Sequence, residues 1–264
     1  MDTWRLLKLE THDAFMNMAI DEAILRTRMS GHTQNTLRLY RWNPSAVSIG
    51  KFQKPENEVN LDECRKLGVD MVRRISGGGT VYHDAEDEVT YSLIANTEDL
   101  GVANLVDVYA RIYTGITGAL RILGIITDFN KGDAKNCPNL TVRGRKISGS
   151  AQAHKGGIVL QHGTLLLNVN LERMFTILRV PWAKTCMEVV DVAKNKITSV
   201  KEELRHRVSA ENVSNALGEG FMNAFGVRLV DGELGVRERE LSEILGKEKY
   251  ATDEWNFEGK TSLG

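Results

Sequence analysis

Val69-Asp-Met-Val-Arg-Arg74 runs directly into Ile75-Ser-Gly-Gly-Gly79 and leaves through Thr80-Val-Tyr-His83. The first segment reads as a strand, and so does the segment after the glycines. Strand, glycine run and second strand differ from the strand–glycine–helix unit of phosphate-binding and dinucleotide-binding folds. Neither Gly-x-x-x-x-Gly-Lys-[Ser/Thr] nor Gly-x-Gly-x-x-Gly occurs here. The segment therefore gives a kinase-like or dinucleotide-binding reading no motif support, and the order of elements around it, strands interspersed with helices and then a helical tail, reads as a mixed α+β domain.

Outward from that stretch, residues 4–9, 36–41, 46–50 and 88–95 are expected to be strands, with a Trp-Asn-Pro-Ser turn at 42–45. Residues 13–29 place Phe15, Met16, Ala19, Ile20 and Ala23 on one helical stripe, with Asp13 as N-cap. Helices are also expected over 61–67 and 106–123, the latter closed by Gly124. Residues 140–142 and 146–148 flank Arg143-Gly144, which reads as a hairpin turn. Residues 157–160 and 163–168 read as a further strand pair. After Val180-Pro181 the pattern becomes mostly helical, with helices near 198–206, 209–225 and 237–247. No repeat, low-complexity tract or linker divides the chain. It reads as one domain over 1–264, with a mainly helical part from about 198.

The composition narrows function. Hydrophobic residues make up 42% and charged residues 26%, as in an ordinary globular protein. A formal charge of −1 argues against a nucleic-acid partner. Three cysteines without metal-ligand spacing suit a reducing cytoplasm and supply no disulfide framework. The opening MDTWRLLKLE has no apolar signal core, and no apolar run is long enough to span a membrane. A cytoplasmic protein is expected.

Three segments carry chemistry. In Arg73-Arg-Ile-Ser-Gly-Gly-Gly-Thr-Val-Tyr-His-Asp84, backbone amides of the glycine run can approach phosphate or carboxylate oxygens, because no Cβ intervenes. Arg73 and Arg74 add positive charge with bidentate geometry, and Asp84 is positioned to hold Mg²⁺ or to orient His83. The same residues also read as a tight turn with two surface arginines. In Gly144-Arg-Lys-Ile-Ser-Gly-Ser-Ala-Gln152, Lys146 precedes Ser148, Gly149, Ser150 and Ala151, whose small side chains leave room for a ligand. Its ammonium could polarise a carbonyl or neutralise an α-phosphate; equally, it reads as a solvated lysine. In Gln161-His-Gly-Thr-Leu-Leu-Leu167, His162 either positions a substrate or caps a strand end.

RRISGGGTVYHD, GRKISGSAQ and QHGTLLL occur in the order and spacing of the lipoate-protein ligase and octanoyltransferase family. AFMNMAIDEAIL, RLYRWNPSAVSIGKFQ and KYATDEW resemble that family too, so the resemblance spans nearly the whole chain. It implies a mixed β-sheet with packed helices, like the catalytic domain of biotin and lipoate ligases. It implies foremost a ligase that converts lipoate and ATP, with Mg²⁺, to lipoyl-AMP. That enzyme then passes the lipoyl group to a lysine of a lipoyl domain, in a 2-oxoacid dehydrogenase or the glycine cleavage H protein. Carried over by motif, Arg73, Gly77, Gly78 and Gly79 surround the acyl chain and acyl-phosphate. Lys146 touches the acyl carbonyl and α-phosphate, and His83 and His162 line the acyl pocket and its mouth. Arg74, Ser76, Thr80, Val81, Ser148, Gly149, Ser150, Ala151, Gly163 and Thr164 complete the candidate substrate-binding set.

The chain departs from the ligase pattern in three ways. The Asn-Asp pair that ligases carry before the lysine strand is replaced by Asn136-Cys-Pro-Asn-Leu140. Glu88-Val-Thr-Tyr-Ser92 is closer to the cysteine-dependent octanoyltransferases. A chain ending at Gly264 also leaves no room for a C-terminal accessory domain, although a separate accessory subunit is compatible with it. The alternative is thus an octanoyltransferase that takes octanoyl from acyl carrier protein without ATP. Cys137 would be its nucleophile, nine residues before Lys146 and closer than in related transferases. GGGTVYHD and HGTLLLNVNL look more ligase-like. A third reading, a non-catalytic acyl-binding relative, is opposed by the retained Lys146 and glycine loop. A biotin-protein ligase is opposed by the absence of its Gly-Arg-Gly-Arg loop.

Overall fold

The computed structural model describes residues 1–102, 104–133 and 137–263. The chain opens with strand β1 (Thr3–His12), helix α1 (Ala14–Met29) and strand β2 (Thr36–Trp42). Asp13 starts α1 as expected, its carboxylate accepting a 2.7 Å bond from the Met16 amide, a donor with no intrahelical partner. Three short strands follow, β3 (Ala46–Ile49), β4 (Asp70–Arg73) and β5 (Val81–His83), with helices α2 (Pro55–Glu58) and α3 (Leu61–Leu67) between the first two. Then come β6 (Glu88–Asn96), α4 (Leu105–Ile122), β7 (Asp128–Asn130), β8 (Asn139–Val142), β9 (Arg145–Lys155) and β10 (Ile158–Leu166). The remainder holds α5 (Leu171–Ile177), α6 (Cys186–Ala193), α7 (Val200–Leu204), α8 (Ala210–Phe225), β11 (Arg228–Asp231) and α9 (Val236–Leu245). Two π-helical turns, Gly246–Tyr250 and Glu254–Glu258, come last.

The main sheet has the order β11-β1-β2-β6-β10-β9-β8-β7. Its β1 pairs are parallel and the others antiparallel, so the sheet is mixed. A small sheet, β4-β3-β5, lies apart from it. On one face of the main sheet, α4 and α8 cover a core of Leu37, Leu39, Tyr91, Leu93, Ile112 and Phe221. The opposite residues of the same strands, Tyr40, Trp42 and Ile94, pack toward α1 and the small sheet. Eight of the nine β6 residues are buried, because the sheet is covered on both faces at that strand.

Helix α1 departs from a one-sided stripe. Besides Ala19, Ile20 and Ala23 it buries Asn17 and Asp21 against the main sheet and Glu22 under the turn at 246–250. Those polar groups are paired. Arg38 of β2, with no exposed surface, donates to Asp21 at 3.0 Å and to the Asn17 side-chain oxygen at 2.7 Å. Glu22 accepts from Lys249 at 2.7 Å and Tyr250 at 2.5 Å.

The hairpin at Arg143-Gly144 is as expected, with φ of 50° and 78°, the left-handed pair of a tight two-residue turn. Residues 157–160 and 163–168 are not a strand pair. They belong to the single strand β10, which pairs along its length with both β6 and β9. The polar Gln161-His162 that looked like a break are buried members of the ladder, and Gly156-Gly157 makes the turn. Leu123, not Gly124, is the cap residue of α4, and Gly124 follows at φ 88°. The part after 198 is not purely helical, since β11 returns to the edge of the main sheet beside β1. Among the described residues no helix is long and apolar enough to cross a membrane.

Replacing Arg38 by Met leaves the Asp21 carboxylate buried without its counter-charge. The loss expected in urea unfolding is about 3–5 kcal/mol; a change below about 1 kcal/mol would show that Arg38 does not hold α1 to the sheet.

Candidate active site

A cavity of about 400 Å³ opens between the glycine run, the start of β9, the middle of β10 and helix α1. Its apolar wall consists of Met18, Tyr40, Trp42, Val81 and Pro138; its polar wall includes Gly78, Gly79, Lys146, Ser150, His162 and Thr164. An apolar slot with a few convergent polar groups is how a small acyl ligand is held.

The two adjacent arginines are assigned to different tasks, because successive strand residues point to opposite sides. Arg73 does not face the cavity. Its guanidinium donates six bonds to backbone carbonyls, those of Gly50, Lys51 and Gln53 on one side and Trp255, Asn256 and Phe257 on the other. It ties the C-terminal turns to the small sheet, which corrects the expectation that it contacts substrate.

Arg74 borders the cavity, yet all five of its donors are engaged. Nε reaches the Ser76 hydroxyl at 3.1 Å; Nη1 reaches the carbonyl and hydroxyl of Ser48 at 2.9 and 3.2 Å; Nη2 reaches the carbonyls of Gly77 and Gly79 at 2.8 and 2.6 Å. Burial pushes its pKa down to about 10, which leaves it a cation at neutral pH. Arg74 therefore shapes the glycine run instead of offering a bidentate face to an anion. The carbonyls of Gly77 and Gly79 are turned toward Arg74, and the amides of Gly77, Gly78 and Gly79 have no acceptor among the described residues.

Two buried relays end on Arg74. Asp21 meets His162 Nδ1 at 3.1 Å, and Nε2 of that ring meets the Ser76 hydroxyl at 2.6 Å. Glu88 meets His83 Nδ1 at 2.7 Å, and Nε2 of that ring meets the Ser48 hydroxyl at 2.8 Å. At His162 the Asp21 carboxylate demands a proton on Nδ1, so Nε2 accepts from the Ser76 hydroxyl, and the oxygens of Ser76 and Ser48 both accept from Arg74. Burial alone would raise the Asp21 carboxyl, but the bond from His162 and the Arg38 charge outweigh it and hold it below the usual carboxylate range. Burial lowers His162, against the pull of Asp21, so the ring is neutral. His83 also stacks on Trp42 at 4.0 Å between ring centres.

Lys146 sits just after the hairpin turn, its backbone fixed by bonds to the Lys196 carbonyl and the Thr198 amide. Its side chain arches over Gly149: a Cβ there would lie 2.6 Å from Nζ. Surrounding protein lowers the Lys146 ammonium from its ordinary range; an ionised Cys137 opposes this and Arg74 adds to it. Solvent still reaches the side chain through the cavity, which limits the effect. Gly163 is equally required, since a Cβ would fall 2.6 Å from the Gly149 carbonyl oxygen and 2.7 Å from the Tyr91 hydroxyl.

Cys137, exposed at the cavity wall, is brought to the same place. A Cβ on Gly78 would lie 3.3 Å from its Sγ and 3.2 Å from Arg74 Nη2. The thiol, the glycine run and Lys146 thus share one wall.

Of the other expected residues, Thr80, Val81, His83, Ala151 and Thr164 line the cavity, whereas Ser76, Gly77 and Ser148 stand behind it. Asp84 has no place in the site. Its carboxylate accepts from the Glu86 and Asp87 amides and the Tyr82 hydroxyl, and His83 is oriented by Glu88 instead. Among the described residues no three His, Cys, Asp or Glu side chains gather as a metal site, and the cavity wall contains no carboxylate. This donor set does not fit Mg²⁺, a hard cation that favours carboxylate oxygens. Asn136, where the ligases' Asn-Asp pair would fall, lies outside the described residues. Sequence reading missed Met18, Ser48 and the buried carboxylates Asp21 and Glu88; Met18, Ser48 and Asp21 come from distant segments, and Glu88 follows His83 by five residues.

Residues 13–222 match the lipoyl protein ligase A/B catalytic domain. Octanoyltransferase LipM of Kyrpidia tusciae is 37% identical over 97% of this chain and 99% of that protein. LipM of Moorella thermoacetica is 35% identical over 96% and 97% of the two chains. Among solved structures, lipoate-protein ligase A bound with ATP superposes with a TM-score of 0.84 at 29% identity, over 97% of this chain and 99% of that one. A bi-partite lipoate protein ligase from Thermoplasma acidophilum, solved in a study with its E2 lipoyl domain, gives 0.83 at 30% identity, over 97% of both chains.

Gly78 adopts φ 89° with Arg74 and Cys137 against it, whereas a Cβ at Gly79 meets nothing within 4 Å. Gly78→Val should therefore lower acyl transfer about 10²-fold by displacing the wall, while Gly79→Ala stays within a few-fold. Equal effects of the two substitutions on transfer rate would contradict this account of the loop.

Proposed function

This chain belongs to the lipoyl protein ligase A/B catalytic-domain family, and we propose that it acts there as an octanoyltransferase, moving octanoyl from acyl carrier protein to a lysine of a lipoyl domain. The observation that carries the proposal is the Cys137 thiol on the cavity wall beside the glycine run and Lys146. The curated relatives named octanoyltransferase support it, as does a wall that, among the described residues, offers no carboxylate to Mg²⁺.

The chemistry follows from the groups present. Lys146, with its lowered pKa, takes the Cys137 proton, giving a thiolate beside an ammonium. The thiolate attacks the octanoyl thioester carbonyl, whose π electrons move to oxygen. The ammonium and the free amides of the glycine run are the donors available to that oxyanion. Collapse expels the carrier thiolate, which takes the proton from Lys146, and octanoyl remains on Cys137. The neutral acceptor amine then attacks this thioester, Cys137 leaves as thiolate, and the proton lost by the amine passes to Lys146. One thioester is exchanged for one amide, so no nucleotide is consumed. The apolar slot of Met18, Tyr40, Trp42 and Val81 holds the chain and keeps water from the thioester.

A lipoate-activating ligase is the second reading, favoured by the likeness to the ATP-bound lipoate-protein ligase A. Mass spectrometry of an apo lipoyl domain separates the two when octanoyl carrier protein is supplied in one reaction and lipoate, ATP and Mg²⁺ in another. Transfer is expected from the carrier without ATP, falling at least about 10³-fold in Cys137→Ser and ~10²–10³-fold in Lys146→Ala. Transfer that needs ATP and survives Cys137→Ser would establish the ligase instead.

A further inference from the structure

A second cavity, of about 500 Å³, lies beyond the Arg74-Ile75 backbone from the first, with Arg74 facing one and Ile75 the other. Two elements run along both. On α1, Met18 lines the first cavity, and Glu22, Leu25 and Arg26 line the second; these positions share one helical face and advance about 12 Å from Met18 to Arg26. On β9, Gly149 and Ala151 line the first cavity, and Ala153 and Lys155 the second. These alternate residues also share one face, and Gly149 to Lys155 spans about 20 Å. The two cavities thus follow one another along α1 and β9.

The second cavity is strongly cationic in a chain whose net charge is −1. Among the described residues, Arg26, Lys51, Lys155, Lys249 and Lys260 line it against a single carboxylate, Glu22. Glu22 is already shared by Arg26 at 2.6 Å and Lys249 at 2.7 Å, and Lys260 pairs with the exposed Glu258. Lys51 and Lys155 are exposed and form no ion pair with any described residue. Lys51 lies close enough to Lys249 to lower its pKa, behind the larger effect of burial and against Glu22. Among the described residues the cations here outnumber the one carboxylate, and Lys51 and Lys155 are left over, which suits a ligand phosphate.

We propose that this cavity is the phosphate subsite for the donor's phosphopantetheine arm, holding the arm's phosphate near Lys51 and Lys155 while the thioester reaches Cys137. The inference rests on the octanoyltransferase reading. The spans along α1 and β9 suit an extended arm with its acyl end in the first cavity. The same phosphopantetheine arm occurs in an acyl carrier protein, where its phosphate is a diester to a serine, and in an acyl-coenzyme A, where that phosphate is half of a diphosphate.

The test compares the parent with Lys51→Glu/Lys155→Glu, two exposed positions whose replacement spares the core. Transfer to an apo lipoyl domain is measured with octanoyl-pantetheine, which lacks the phosphate, octanoyl-phosphopantetheine, octanoyl-coenzyme A and octanoyl carrier protein. For the phosphorylated donors KM is expected to rise about tenfold or more, with kcat nearly unchanged and a weaker salt dependence. For octanoyl-pantetheine KM should not move. A rise confined to phosphorylated donors supports the subsite, and the donor that loses most identifies the arm's source. An unchanged KM for those donors, or an equal rise with octanoyl-pantetheine, overturns the subsite alone. A parent that accepts no thioester donor overturns the octanoyltransferase reading, and the subsite with it.

Discussion

A guanidinium taken out of water must find an acceptor for each donor, and Arg74 meets that demand with acceptors that build the site. Two of its bonds fix the carbonyls of the glycine run, and the others hold Ser48 and Ser76. Each of those serines is the end of a relay that begins at a buried carboxylate on another element, Asp21 on α1 or Glu88 on β6. The charge of Arg74 is thus balanced across the small sheet, the main sheet and α1 at once. Removing any member leaves a buried polar group without its partner, so the loop geometry and the core are stabilised together.

That arrangement decides what remains for chemistry. Arg73 and Arg74 are both fully engaged within the protein, so among the described residues of the cavity wall Lys146 is the cation left to act there. Its strand position is fixed by backbone bonds to 196 and 198, while Gly149 gives its side chain room to arch toward the wall that holds Cys137. Gly50 completes the design from behind, since any Cβ there would lie 2.1 Å from the Gly78 carbonyl oxygen. Rigid backbone, an amine at the cavity wall and an exposed thiol are the elements that a transient thioester needs.

Much of this was legible in the sequence where backbone demands dictate residue identity. The glycine run, the Arg143-Gly144 turn and the Asp13 cap all announce conformations that few residues accept. Features defined by distant partners were hidden. Asp21 and His162 are 141 residues apart, and nothing local to QHGTLLL shows that its histidine is buried against a helix carboxylate. The same polar pair, Gln161-His162, made one strand look like two. Arg73 and Arg74 read as equivalents, although their place on a strand implied opposite directions. Strands β7 and β11, three and four residues long and at the two sheet edges, carry too little alternation to be seen. The choice between ligase and transferase turned on Cys137, whose closeness to Gly78 and to the Lys146 wall is a tertiary fact.

The central claim is that octanoyl resides on Cys137 between donor and acceptor. Intact-protein mass spectrometry of the enzyme with octanoyl carrier protein, in the absence of a lipoyl domain, tests it most directly. The account predicts a single octanoyl adduct without ATP, mapped by peptide analysis to Cys137, sensitive to hydroxylamine and discharged when an apo lipoyl domain is added. An enzyme that stays unmodified under these conditions, yet acylates the lipoyl domain once ATP is supplied, would contradict it.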